Sequence, residues 1–274
     1  MKKIIIMSDV HLCRHQWGGV SAEERMEKMV RELNESYDRE KYEAILFLGD
    51  YSLDFWLYDE GGTYVHKKVS NTERLIKDYL SKLKCQNYHM IPGNHEQYGN
   101  EKWLELTGKI RQFSVVVGGY LFVMLDTFAD GLDPDHDHDG VYTGADIDFV
   151  KTEMEKYPEM KTVLCAHYFA VEKTSGMREN ADIYMDSSDK LKKFLREEDR
   201  IVCLFFGHDH TCATEMIEDC GKYLFHDGQY SYSLAEPEED CPRGWREVWF
   251  DENSLKTAYF SAEKSYREMT EIKF

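Results

Sequence analysis

Five short apolar runs in this chain each end beside side chains that commonly bind metal ions, and this pattern constrains the fold more than any other feature. The runs are rich in β-branched and aromatic residues, as is typical of buried strands. They cover residues 4–7, 44–48, 88–91, 162–166 and 201–206. In open α/β folds the functional crevice lies beyond the carboxyl ends of the strands, so the sequence predicts that the polar residues after these runs meet in one crevice.

The polar residues that follow the runs form five motifs that can bind a metal. These are Asp9-Val10-His11, Gly49-Asp50, Gly93-Asn94-His95-Glu96, His167, and Gly207-His208-Asp209-His210. Carboxylate, amide and imidazole groups in this mixture suit borderline divalent ions better than thiolate-bound zinc. Taken singly, each acid is an ordinary loop residue and each histidine an ordinary buried one. Their convergence at apolar strand ends favours a metal site, because burial of so many chelating groups requires a cation.

Amphipathic helices are predicted between the strands. Apolar residues recur at three- and four-residue steps over 22–36, 70–83 and 143–157, with Thr143 as the N-cap of the last of these, and another helix is expected around 191–195. Alternation of strands with helices predicts right-handed crossovers and a largely parallel inner sheet. We therefore expect the α/β class.

The C-terminal part of the chain has a different pattern. From Ala213 onward, short strand-like segments are separated by turn signals such as Asp219-Cys220-Gly221. This pattern predicts a β-meander over 213–274 that belongs to a second sheet packed against the first. We expect one domain over 1–274, with the metal-binding motifs inside 1–212 and two sheets sandwiched between helices.

Charge and composition exclude several classes of partner. The net charge of −18 and the absence of a Lys/Arg cluster disfavour binding to DNA, RNA or anionic lipid. No apolar stretch is long enough to span a membrane. Seven cysteines without a C-x-x-C spacing fit the reducing cytoplasm, where we expect the protein to act. The sequence indicates no protein partner.

In this order, the five motifs resemble those of the calcineurin-like metallophosphoesterase superfamily, over the span from Asp9 to His210. The resemblance implies a four-layer αββα sandwich, in which two mixed β-sheets pack face to face between helices. It also implies two metal ions, drawn from Mn, Fe, Zn or Ni. The implied ligands are Asp9, His11 and His210 for one ion, Asn94, His167 and His208 for the other, and Asp50 as the bridge between them.

The same resemblance implies a hydrolase of small phosphomonoesters or phosphodiesters. Two ions about 3.5–4 Å apart share a hydroxide and hold a phosphoryl group for in-line attack. His95 is implied to protonate the leaving oxygen, since imidazole titrates near neutral pH. Glu96 is expected to orient its neighbours rather than to perform chemistry. Arg14 is a further hypothesis for a phosphate contact.

Two other functions would use the same fold. A nuclease would need a basic groove, which the acidic composition disfavours. A non-catalytic scaffold would need neither the intact ligand set nor His95. Protein phosphatase activity is not expected, because the G-D-x-x-D-R-G motif of protein Ser/Thr phosphatases is replaced by 49–55, where Asp54 comes one residue late and no arginine follows.

An acidic loop suggests a separate calcium site. Asp135, Asp137 and Asp139 occupy positions 1, 3 and 5 of an EF-hand-like spacing, with Gly140 at position 6 and Asp146 at position 12. The alternative is a solvated loop in which Asp146 caps the following helix.

Aromatic residues near the motifs suggest a binding surface for a planar leaving group. They are the cluster within 55–64 and the pair Tyr168-Phe169. The alternative is that these rings pack their loops onto the fold.

Overall fold

Two β-sheets packed face to face form the centre of the molecule in a computed structural model of the chain. The structure describes residues 2–13, 19–52, 71–129, 132, 140–171, 181–230, 243–261 and 265–274, with only the backbone for 181–186. The helices are α1 (Ala22–Arg39), α2 (Asn71–Arg74), α3 (Asn100–Thr107), α4 (Ile147–Glu155) and α5 (Ala181–Glu197). Among the described residues, no helix combines the length and apolarity that a membrane span requires.

The strands divide equally between the sheets. They are β1 (Lys2–Met7), β2 (Ile45–Phe47), β3 (Tyr88–Met90), β4 (Phe113–Val117), β5 (Tyr120–Leu125), β6 (Thr162–Ala166), β7 (Ile201–Phe206), β8 (Thr214–Ile217), β9 (Lys222–His226), β10 (Gly244–Asp251), β11 (Ser254–Ser261) and β12 (Tyr266–Lys273). The first sheet has the order β12-β11-β10-β1-β2-β3, and the second has the order β4-β5-β6-β7-β9-β8.

The strands that carry the metal-binding motifs belong to both sheets. β1, β2 and β3 run parallel in the first sheet, whereas β6 and β7 run parallel in the second. The sequence predicted a largely parallel inner sheet, whereas the parallel strands are divided between the two sheets. A run that is buried on both faces has no polar side to show which sheet it joins.

The C-terminal segment is also shared between the sheets. β8 and β9 join the second sheet beside β7, whereas β10, β11 and β12 extend the first sheet from β1. The predicted meander is therefore correct only for β10–β12, and these strands belong to the sheet that holds β1. The antiparallel pairing of β10 with β1 places the C-terminal segment beside the first metal-binding motif.

Local sequence explains where the helices begin. Ser21 caps α1 through a capping box with Glu24, and Met26, Met29 and Leu33 bury one helix face against the first sheet. The helix predicted from 143 begins only at Ile147, so Thr143 is not its cap.

The helix predicted over 70–83 differs in its hydrogen bonding. α2 is short and continues as a π-helical turn over Leu75–Tyr79 and a 3₁₀ turn over Leu80–Lys82. The apolar side chains of this segment still pack into the core beneath α1, as their spacing predicted. Hydrophobic spacing therefore identified the buried face but not the local change of helix type.

Alternation along β1 divides the core into layers. Ile4 and Ile6 pack between the two sheets, whereas Ile5 and Met7 pack beneath α1 on the outer face of the first sheet. The layer between the sheets also holds Leu46 of β2, which is fully buried. This layer fixes the two sheets against each other and so sets the positions of the strand ends.

We expect Leu46→Ala to lower the free energy of unfolding by about 2–5 kcal/mol, because it leaves a cavity between the sheets. Urea denaturation monitored by circular dichroism measures this loss. Leu104→Ala is the matched control, since Leu104 lies on α3 with 49% of its surface exposed, and its effect should stay within about 0.5 kcal/mol. Equal losses in the two variants would contradict the assignment of the inter-sheet layer as the core.

Candidate metal centre

All seven predicted ligands lie just beyond the carboxyl ends of five strands. They are Asp9 and His11 after β1, Asp50 after β2, Asn94 after β3, His167 after β6, and His208 and His210 after β7. The first five are buried, and the two histidines after β7 are partly exposed. The structure therefore brings the complete predicted set to one edge of the sandwich.

The first group of ligands consists of Asp9, His11 and His210. Their ligand atoms all lie within 4.8 Å of one another. His210 Nε2 is 3.1 Å from Asp9 Oδ1 and 3.1 Å from His11 Nε2. At most one hydrogen fits between two facing ring nitrogens, whereas a cation accepts the lone pairs of both. This group fits a single metal ion.

The second group consists of Asp50, His167 and His208, with Asn94 beside them. His167 donates its Nδ1 hydrogen to the carbonyl oxygen of Leu48 at 2.7 Å, so its Nε2 faces the site. That Nε2 is 3.2 Å from Asp50 Oδ2 and 2.9 Å from Asn94 Oδ1. Asn94 Oδ1 is also 3.0 Å from His208 Nδ1. These atoms fit a second ion.

Asp50 and His95 connect the two groups. His95 Nε2 is 3.5 Å from Asp50 Oδ2, and these two residues with His11 form a further cluster of possible ligand atoms. The His95 backbone N–H donates to Asp50 Oδ1 at 3.2 Å. The imidazole of His95 is thus inside the site, beside the carboxylate that lies close to His11 of the first group and belongs to the second.

The backbone at the ligands is unusual. Six non-glycine residues among those described have positive φ angles, and five of these six are predicted ligands. These five are Asp9 (55°), His11 (49°), Asp50 (53°), His208 (72°) and His210 (58°). Such conformations are costly for residues with a Cβ atom, and they persist where the surrounding structure enforces them. Their concentration here marks the site independently of the side-chain chemistry.

Two glycines make the close approach of the loops possible. A Cβ atom on Gly93 would lie 2.1 Å from Asp50 Oδ1, and one on Gly207 would lie 1.9 Å from Ser8 Oγ. Neither position has room for a side chain. The glycines of the sequence motifs are therefore required by packing at the site.

The electrostatics favour a cation. Burial by itself raises the pKa of Asp9 and Asp50, but the charges of His210 and His167 outweigh burial and hold both pKa values below their usual range. Burial alone lowers the pKa of His167, yet the Asp50 carboxylate raises it to about 10. Burial and the charge of His167 lower the pKa of His208 to about 4. The buried anions draw positive charge into the site, which a proton or a metal ion supplies.

Glu96 holds two of the ligand loops together. Its Oε2 accepts hydrogen bonds from the backbone N–H groups of Asp50 (2.8 Å) and Gly93 (2.9 Å), and its Oε1 accepts from Tyr51 (2.9 Å) and Ser52 (3.3 Å). The side chain is fully buried. This geometry supports the expectation that Glu96 orients its neighbours rather than taking part in chemistry.

A second buried residue that holds the loops of the site, Arg111, was not identified by the sequence motifs. Arg111 pairs with Asp126 (Nε to Oδ2, 2.5 Å) and donates to the carbonyl oxygens of Glu96 (3.2 Å) and Phe128 (3.3 Å). The Phe128 ring packs 5.7 Å from the His167 ring. The available signal was the apolar run of β5, which ends at Asp126 in the same way as the five runs above.

The aromatic pair after His167 is buried, although the Tyr168 ring packs against the predicted ligand His208 with 4.9 Å between ring centroids. Tyr168 and Phe169 are buried in the core on the outer face of the second sheet, and Tyr168 packs against Tyr142 with 5.3 Å between ring centroids. The alternative interpretation, in which these rings pack their loop, is the correct one. The aromatic cluster within 55–64, and Arg14, lie outside the described residues.

The calcium hypothesis is tested at one position only. Asp146 accepts a hydrogen bond from the backbone N–H of Phe149 at 2.9 Å as the N-cap of α4, and its other oxygen accepts from Gln112 at 3.2 Å. This is the capping role of the alternative interpretation. Asp135, Asp137 and Asp139 lie outside the described residues, so calcium binding there stays a prediction.

Solved structures of phosphatases have a similar fold. A dimetal phosphatase from Danio rerio superposes with a TM-score of 0.67 at 12% identity, over 100% of this chain and 99% of that one. The purple acid phosphatase PPD1 from yellow lupin seeds has a TM-score of 0.60 at 13% identity, and the match covers 99% of this chain and 53% of that one. GAP50, the anchor in the inner membrane complex of Plasmodium, has a TM-score of 0.60 at 10% identity, and the match covers 100% of this chain and 89% of that one. At these identities the similarity shows the fold alone.

A comparison with curated protein sequences gave no significant match. The family model for calcineurin-like phosphoesterases, however, matches residues 2–212. That span contains all five strand ends and all seven predicted ligands. The chain therefore belongs to the calcineurin-like phosphoesterase family. The resemblance carried by the motifs is confirmed, and so is the αββα fold class, since two mixed six-stranded sheets pack between helices.

We expect Glu96→Gln to weaken Mn²⁺ binding by about 10–100-fold, because an amide nitrogen cannot accept the backbone N–H groups that one of the carboxylate oxygens now binds. Titration calorimetry on chelator-treated protein measures the affinity. Glu101→Gln, at an exposed acid in the first turn of α3, is the matched control and should bind Mn²⁺ as the wild type does. Unchanged affinity in Glu96→Gln would show that Glu96 does not position the ligands.

Proposed function

We propose that this protein is a metal-dependent phosphoesterase that hydrolyses small phosphomonoesters or phosphodiesters at a pair of transition-metal ions. The observation that carries the proposal is the convergence of seven predicted ligands into two groups, with the Asp50 carboxylate of the second group also within 4.8 Å of a ring nitrogen of His11 in the first. Membership of the calcineurin-like phosphoesterase family supports it. The Danio rerio structure of similar fold is itself described as a dimetal phosphatase.

The residues divide into two sites. Asp9, His11 and His210 would hold one ion, and Asn94, His167 and His208 would hold the other. Asp50 would serve both, because a carboxylate has two oxygens. When bound, such a pair of ions supplies an activated water molecule and a Lewis acid for the phosphoryl group. Nitrogen and oxygen donors without a thiolate suit Mn, Fe, Zn or Ni.

His95 is the side chain that we assign to proton transfer. Its side chain is buried and lies 3.5 Å from Asp50, inside the site that a phosphate ester would enter. An imidazole that donates a proton to the leaving oxygen of such an ester lowers the barrier to P–O cleavage. Asp50 accepts the backbone N–H of His95, which restricts the position of the residue.

A small substrate is favoured over a polymer. The net charge of −18 repels nucleic acids, so a nuclease is the less favoured alternative. A scaffold without catalysis is the other alternative, since GAP50 of similar fold is described as an anchor. The intact ligand set and His95 favour an enzyme. Seven cysteines without a C-x-x-C spacing support action in the reducing cytoplasm.

We expect hydrolysis to require metal. Protein treated with a chelator should lose activity towards p-nitrophenyl phosphate or its bis-ester, and Mn²⁺ should restore it, while single-stranded DNA should stay intact under both conditions. Colorimetric assays and gel electrophoresis measure these outcomes. Cleavage of the DNA alone would favour the nuclease, and absence of any hydrolysis with two bound ions would favour the scaffold.

His95→Ala should lower turnover by about 100- to 10,000-fold while the bound metal stays near two ions per chain, because proton donation is lost and the ligands remain. Steady-state kinetics and elemental analysis measure the two quantities. His89→Ala, at a histidine on β3 that the predicted site does not use, is the control and should retain activity. Loss of metal from His95→Ala would instead identify His95 as a ligand.

A further inference from the structure

The metal ligands of each group come from both sheets, and this makes the distance between the sheets part of the site. In the first group, Asp9 and His11 follow β1 of the first sheet, whereas His210 follows β7 of the second. In the second group, Asp50 belongs to the first sheet and His167 to the second. A small shift of one sheet against the other would therefore separate the ligands of both ions.

A buried ion pair joins the two sheets beside this site. Arg246 lies on β10 of the first sheet, and Asp227 directly follows β9 of the second. Arg246 Nε is 3.2 Å from Asp227 Oδ1, and both side chains have no exposed surface. Arg246 Nη2 also donates to the carbonyl oxygens of His226 at 2.8 Å and Ala213 at 3.1 Å. All three of these partners belong to the second-sheet side of the sandwich.

The position of the pair ties it to the strands that carry the ligands. Arg246 pairs in register with Ile6 of β1, three residues before Asp9. The Asp227 backbone N–H donates to the carbonyl oxygen of Phe206 at 2.8 Å, and Phe206 is the last residue of β7. Arg246 therefore borders the strand that leads to Asp9 and His11, and Asp227 borders the strand that leads to His208 and His210.

The buried ion pair of Arg246 and Asp227 is not explained by a gain in folding stability. Transfer of two charges from water to a protein interior carries a desolvation penalty that their attraction often fails to offset, and apolar residues of similar volume usually pack as well. Among the described residues, both carboxylate oxygens of Asp227 and the Nε and Nη1 atoms of Arg246 make no hydrogen bond, so the charges attract each other without hydrogen-bond geometry and the pair is not optimised for stability. The two hydrogen bonds from Arg246 Nη2 to carbonyl oxygens of the second-sheet side are directional, and they offer what apolar packing lacks, namely a fixed register.

We propose that Arg246 and Asp227 are positioning residues that set the separation of the two sheets at the metal centre and thereby the affinity for the pair of ions. This inference rests on the proposed dinuclear site and deepens it. Neither residue touches the metal or the substrate in this account. Their contribution is to hold Asp9 and His11 at the correct distance from His208 and His210.

The test is Mn²⁺ titration calorimetry on chelator-treated protein, with thermal unfolding measured on the same samples. Replacement of one member alone would leave a buried charge unpaired and destabilise the fold, so the main variant is the double replacement Arg246→Met with Asp227→Leu. We expect it to keep the thermal midpoint of the wild type and to bind Mn²⁺ about tenfold or more weakly, as loss of an outer support does at other metal sites. Arg246→Lys keeps the charge, loses bonds to the carbonyl oxygens, and should give an intermediate affinity.

The matched control is a second buried ion pair between β1 and β10. Lys3 and Glu247 are equally buried, at 3.2 Å, but both belong to the first sheet. Lys3→Met with Glu247→Leu should retain the Mn²⁺ affinity of the wild type. Wild-type affinity in both Arg246 variants would overturn the positioning role and leave the proposed function intact. Two ions bound without any ester hydrolysis would overturn the function alone, and absence of binding in the wild type would overturn both.

Discussion

Neither sheet of this protein holds a complete group of the predicted metal ligands, so the packing of the two sheets is the constraint on which the candidate site depends. Hydrogen bonds cross the gap at the ligands themselves. The His208 backbone N–H donates to Asp9 Oδ2 at 3.0 Å, and the His167 ring donates to the Leu48 carbonyl oxygen. The apolar layer between the sheets holds the strands beneath these contacts. The positions of the predicted ligands at the edge of the sandwich therefore depend on the packing in its interior.

The loops that carry the ligands are held mainly through their backbones. Glu96 binds four backbone N–H groups from two loops, and Arg111 binds carbonyl oxygens from the loops that follow β3 and β5. The Tyr51 hydroxyl adds bonds to the carbonyl oxygens of Phe47 and Ile91. Buried polar side chains that satisfy backbone groups fix loop shape more directly than apolar contacts do. The ligand side chains are thereby left available for the cation that their charges favour.

The sequence was sufficient to predict which side chains meet at the strand ends, because the chemistry of such a site is carried by residue type at these positions. The sheet to which each strand belongs was not predictable, since apolar runs such as that of β1 are buried on both faces. Within the predicted meander, the bounds of β12 were not predictable, because it is an edge strand with mostly exposed side chains and no apolar alternation. The pair of Arg246 and Asp227 could not be inferred either, because their contact depends on the order of strands in two different sheets.

The left-handed backbone at five ligands has a consequence for the design of substitutions. Asparagine tolerates this conformation better than most residues with a Cβ atom, whereas alanine and β-branched residues resist it. An asparagine at Asp9 or His210 would therefore preserve the turn while removing the native charge or imidazole. A β-branched residue at the same position would deform the loop as well. Comparison of the two kinds of replacement separates the chemical contribution of a ligand from the shape that its backbone imposes on the crevice.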